Sequence, residues 1–176
     1  MGSRMKETGA RLIALCSVAI GLSTFFLMLA SILPGVDIAI YCIVSIIPAL
    51  FVVEGGYKSA ILTYIGTVLL CSIILPNKMP VFPYLFYFGY YAMIKGITER
   101  HIKIKIFEYG IKLLHCNIVF FLGVALFSSF LAQVAAKFPI WVLYVGLQPS
   151  FLAYDYVFTR VINYYSKSHL RKLIIK

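Results

Sequence analysis

The sequence predicts an all-α fold: a polytopic membrane protein of six transmembrane helices with both termini cytoplasmic. Three observations predict it. Hydrophobic residues make up 62% of the 176 positions and charged residues 12%, with a mean hydropathy of +0.95, whereas soluble domains carry about 25% charged residues. The apolar residues form long continuous runs, which suit helices that satisfy their own backbone in lipid. Barrel strands would instead alternate in pieces of about ten residues. Third, Lys and Arg gather at the ends of these runs, as they do where apolar segments meet the membrane surface.

Taken in order, the first segment runs from about Leu12 to Leu33 and stops at Pro34-Gly35. Arg4, Lys6 and Arg11 precede it as in a signal peptide. The run is long enough to span, and Ala30-Ser31 makes a poor cleavage site, so an uncleaved first helix is expected. The second segment, about Ile38 to Val53, closes at Glu54-Gly55-Gly56, a hairpin corner with a Glu54–Lys58 ion pair. The third, about Ser59 to Leu75, stops at Pro76; the fourth covers about Val81 to Ile97. The fifth, about Ile106 to Leu131, follows a basic loop. The sixth, about Ile140 to Tyr165, leads into a basic tail. Residues 1–176 are read as one integral membrane domain, because no polar block is long enough to fold separately.

Orientation follows from the cations. With the N-terminus inside, fourteen lie on the inner side: Arg4, Lys6, Arg11, Lys58, Lys95, Arg100, Lys103, Lys105, Lys112, Arg160, Lys167, Arg171, Lys172 and Lys176. Only Lys78 and Lys137 lie outside. The net charge of +10 is therefore read as topology and attraction to anionic lipid, not as a nucleic-acid surface. A multi-pass protein of a bacterial inner (plasma) membrane is expected.

Polar residues inside lipid are costly and point to function. Tyr144, Gln148, Asp155, Thr159 and Asn163 follow one another at spacings of four, seven, four and four, one face of the sixth helix. They line a substrate pathway or form interhelical hydrogen bonds; both readings stand. Glu108 and Lys112 are an i,i+4 pair at the inner border. His115 and Asp155 lie at similar depth, so an imidazole–carboxylate pair is expected if their helices are neighbours, structural or relaying a proton. Arg160 competes for Asp155. On the outer side stand Asp37, Asn77, Lys78, Gln133 and Lys137, with Tyr84, Tyr87 and Trp141 nearby as an interfacial belt or a cavity wall. Trp141, Tyr144 and Gln148 together would supply a flat apolar wall with a few polar groups.

Signatures of soluble catalysis are missing. No HExxH or GxSxG motif occurs and His101, His115 and His169 are scattered. The four cysteines stand singly in apolar segments, without the spacing of a metal site. No catalytic residue, metal or cofactor is expected, and the chain is read as not an enzyme.

Two local patterns carry a family resemblance: Ala10-xxx-Ala14, and IIPALFVVEGGYKSAILTYIGTVLL from Ile46 to Leu70. With the six-helix count, these resemble the S components of energy-coupling factor transporters. The resemblance covers about the first half of the chain. It implies a membrane-embedded subunit that captures a small, vitamin-like solute for uptake, energised by ATPases through a transmembrane coupling subunit. By the same resemblance Ala10 and Ala14 face the partner, and Asp37, Asn77, Lys78, Trp141 and Gln148 are ligand contacts. The polar groups His115, Asp155 and Arg160 depart from the family's pattern by lying in the inner half. The six-helix arrangement is also similar to that of small bacterial cell-envelope scaffolds that transport nothing.

Overall fold

The computed structural model describes residues 2–33, 35–54, 56–102, 104–126 and 140–167, and every regular element among them is helical. The order is α1 (Gly2–Ile32), α2 (Asp37–Glu54), α3 (Tyr57–Ile74), α4 (Val81–Pro83), a π-helical turn (Tyr84–Phe88), α5 (Gly89–His101), α6 (Lys105–Leu126) and α7 (Ile140–Lys167). Among the described residues, three stretches are long and apolar enough to cross a membrane: Gly9–Ile32, Tyr57–Ile74 and Lys105–Ala125. Asp37–Val53 is a shorter apolar helix. Gln133, Lys137, Lys103, His169 and the basic tail lie outside the described residues, as does the side chain of Glu54.

The chain divides into two compact units, Met1–Gly96 with Ile162–Lys176, and Ile97–Val161. In the first, α1, α2 and α3 pack against one another in every pairing. Cys16, Ala19, Ser23, Leu27 and Ala30 form the buried stripe of α1, and Ser59, Thr63, Thr67 and Cys71 that of α3. Both are helical spacings of mostly small residues, the composition that lets backbones approach in lipid. Gly66 marks the closest approach: a Cβ there would stand 2.5 Å from Ile20 Cδ1. In the α3 stripe the threonine hydroxyls return to their own helix, Thr63 to the Ser59 carbonyl at 2.9 Å and Thr67 to the Thr63 carbonyl at 2.8 Å, whereas the buried Ser23 hydroxyl of α1 has no hydrogen-bond partner among the described residues. The Cys71 thiol donates to Thr24 Oγ1 across the α1–α3 seam at 3.7 Å.

The breaks have local causes. Gly56 precedes α3 at φ 81°, ψ 177°, a region open in practice only to glycine. Leu75 ends α3 in extended backbone, as a residue before proline prefers. Asn77 Oδ1 accepts the Met79 N–H at 3.0 Å and shapes the turn that follows.

Tyr84 and Tyr91 are fully buried in the first unit and not on a surface belt. Tyr41 stacks on Phe88 at 5.3 Å, and Tyr87 on Tyr91 at the same distance. Beside them the Tyr64 hydroxyl donates to the Leu85 carbonyl at 2.8 Å, inside the π-helical turn. A side chain that supplies a donor to a helix carbonyl relieves the backbone ladder there, a recognised origin of such turns.

In the second unit, α6 and α7 run antiparallel, since Lys112 meets Asp155 while Asn117 meets Gln148. The Gln148 amide donates to Asn117 Oδ1 at 2.7 Å. Tyr144 packs between Phe120 and Phe121, each ring centroid 5.8 Å away.

Candidate functional site

The most costly polar arrangement lies in the second unit, around one lysine. Lys112 is 1% exposed, although it sits in a helix with an apolar face. Its ammonium reaches Glu108 Oε1 at 2.5 Å, Glu99 Oε1 at 2.8 Å and Asp155 Oδ2 at 3.5 Å. An ammonium has three N–H donors, so each can serve one carboxylate. The Tyr109 ring lies 5.6 Å from the same nitrogen and adds a cation–π contact.

Each ligand of the ammonium arrives for a different reason. Glu108 precedes Lys112 by four residues on α6, the favourable order for a helical ion pair. Glu99 stands in the last turn of α5, 13 residues before Lys112, and meets the ammonium from that neighbouring helix. Asp155 comes from α7, where the Thr159 hydroxyl donates to its backbone carbonyl at 2.7 Å. The three differ in access to the surroundings. Glu99 is 39% exposed, Glu108 17% and Asp155 3%. The arrangement is graded, from a half-open carboxylate at one helix end to an enclosed one between two helices.

Three of the chain's six acidic residues thus share one cation. Removing the ammonium would leave the enclosed Asp155 without this counter-charge, and an isolated buried carboxylate is strongly disfavoured. Chemically, the cluster can hold helices together, exchange a hydrogen-bonding partner or respond to a charged group brought alongside. Among the described residues, no three His, Cys, Asp or Glu side chains converge to hold a metal ion.

The expected site residues distribute as follows. Asp37 opens α2, half-buried, where a carboxylate suits the helix N-terminus. Asn77 and Lys78 are exposed in the turn after α3. These three belong to the first unit. Trp141 is largely exposed on α7, and Tyr144 and Gln148 are half-buried against α6; all three belong to the second unit. Ala10 and Ala14 are exposed on α1, before its buried stripe begins at Cys16. His115 is half-buried, three residues beyond Lys112 on α6. Arg160 is exposed and donates through Nε and Nη2 to the Tyr156 hydroxyl at 3.1 and 2.8 Å, with its guanidinium stacked over that ring.

The spacing of Glu108 and Lys112 points to their i,i+4 pair and gives no sign of Glu99 as a further partner. The available signal was the position of Glu99, an acidic residue inside an otherwise basic stretch from Lys95 to Lys105. No family model matches the chain, and neither the curated proteins nor the solved structures contain a match.

Proposed function

We propose that the protein is the solute-capturing membrane subunit of a small-molecule uptake system, energised by ATPase subunits that it does not itself contain. The observation that carries this reading is the Lys112 constellation. Ionisable groups enclosed against α6, a helix apolar enough to cross a membrane, are expensive, and where such groups occur they mark solute or ion paths. In this reading the chain crosses a bacterial inner membrane six times with both ends in the cytoplasm. The fourteen-to-two distribution of Lys and Arg supports that orientation. The 28 residues of α7 are enough to span at about 1.5 Å per residue. Asp37, Asn77 and Lys78 of the first unit, and separately Trp141, Tyr144 and Gln148 of the second, are proposed ligand contacts. Ala10 and Ala14 form the proposed seam with a transmembrane coupling subunit.

One observation favours a second reading, a non-transporting scaffold of the cell envelope. The three donors of Lys112 are matched by three carboxylates of the same chain, an arrangement that serves equally well to lock helices together. Gentle purification from native membranes, with mass spectrometry of everything retained, separates the two. Capture predicts a small solute in near-stoichiometric amount, together with ATPase and coupling subunits. Envelope assembly factors in their place, with no solute, would support the scaffold.

A further inference from the structure

Between the end of α5 and the start of α6, the second unit carries an open groove lined by His101, Ile102, Ile104, Phe107 and Ile111. Its floor is apolar and uncovered: Ile104 is 59% exposed and Phe107 65%. Arg100 and Lys105 flank it, both exposed, and neither has a hydrogen bond or ion pair with another described residue. The nearby acids do not cancel these cations, because Glu99 and Glu108 direct their carboxylates to Lys112. The imidazole of His101 is held in place, its Nδ1–H donating to the Ile97 carbonyl at 2.9 Å. The result is an apolar trough with a cationic rim.

We infer that this groove binds one anionic phospholipid, its phosphate between Arg100 and Lys105 and its first acyl carbons along Ile104, Phe107 and Ile111. Two observations select this occupant. The charge is complementary to a phosphodiester, and the paired cations favour a head group in which no ammonium offsets the phosphate. The trough also lies at the border of the apolar stretch Lys105–Ala125, where head groups give way to hydrocarbon. A partner helix would need an apolar face of similar length and an acidic rim, whereas a lipid carries both features in one molecule. The inference rests on α6 crossing the membrane; it does not depend on the capture of a solute.

The test is native mass spectrometry of the full chain released from nanodiscs of equal parts phosphatidylglycerol and phosphatidylcholine. The wild type is expected to keep one phosphatidylglycerol after other lipids have been stripped. Each basic residue near an anionic lipid surface contributes about a fivefold preference, so Arg100→Gln with Lys105→Gln should reduce that adduct roughly thirty-fold. The charge-conserving pair Arg100→Lys with Lys105→Arg should retain it. Equal retention of both lipids by the wild type, undiminished retention by the neutral pair, or loss in both pairs would overturn the inference. So would a protein or peptide adduct that the neutral pair displaces without any lipid selectivity, which would assign the groove to a partner segment. A chain that carries no lipid of either kind would remove the membrane-spanning reading of α6 and this inference with it.

Discussion

Lys112 and Asp155 face each other across α6 and α7, 3.5 Å apart, and both side chains are almost completely enclosed. The separation is longer than the roughly 2.7–2.9 Å of a tight ammonium–carboxylate bond. Glu99 and Glu108 hold the same ammonium more closely. Of the three contacts to the ammonium, that to Asp155 is thus the most enclosed and the longest.

That ranking makes the cost of mutation unequal. Lys112→Met leaves the enclosed carboxylate without its cation and should lower stability by about 3–5 kcal/mol. Glu99→Gln, at a half-open site, should cost less than about 1 kcal/mol. Thermal unfolding of the two variants in one detergent checks the order. Equal losses would show that the cluster is not graded by burial.

Gly66 gives a packing prediction. A valine there would drive side-chain carbon into Ile20, which already lies 2.5 Å from the position of a Cβ. The expected loss is about 1–3 kcal/mol, typical of an overpacked core. Ile20→Ala in the same chain should recover most of it. A double-mutant cycle with no coupling would contradict the close approach of α1 and α3.

Gly56→Ala tests the corner before α3. At φ 81°, ψ 177° an L residue is strained by roughly 1–3 kcal/mol, while nothing within 4 Å would obstruct the added methyl. Gly9→Ala, with equally open surroundings and ordinary helical backbone, should be neutral or stabilising. Comparable melting temperatures for both variants would argue against the conformation of Gly56.

Tyr64→Phe removes the donor to the Leu85 carbonyl and leaves the ring in place. A loss of about 1 kcal/mol is expected, with faster amide exchange concentrated between Tyr84 and Gly89. Uniform exchange along the helix would mean that the π-helical turn does not depend on Tyr64.

These cases also show what the sequence made legible. The helical class followed from uninterrupted apolar runs, because a bilayer leaves few other solutions. Boundaries followed less well. The first run begins at Leu12, yet α1 begins at Gly2, since hydropathy reports where lipid-like composition starts and not where hydrogen bonding starts. Glu108–Lys112 was readable from a spacing of four. Glu99 and Asp155 were not readable as its partners, because they come from other helices, 13 and 43 residues away, at no helical spacing from Lys112. The π-helical turn was hidden for a similar reason, as its partner hydroxyl comes from α3. Tyr84 was readable as an aromatic near the outer border, but not as core, because position in the sequence does not identify what covers a side chain.

The solute-capture reading stands or falls most directly on what the purified protein holds. Wild type and Asp155→Asn, which keeps the side-chain shape at the enclosed end of the cluster, would be purified gently and compared by native mass spectrometry. The account predicts a small solute at near-stoichiometric occupancy in the wild type, and a several-fold loss in Asp155→Asn at an unchanged fold by circular dichroism. A wild type that carries no solute would contradict solute capture, and a variant that retains it fully would contradict a part for the Lys112–Asp155 cluster in it.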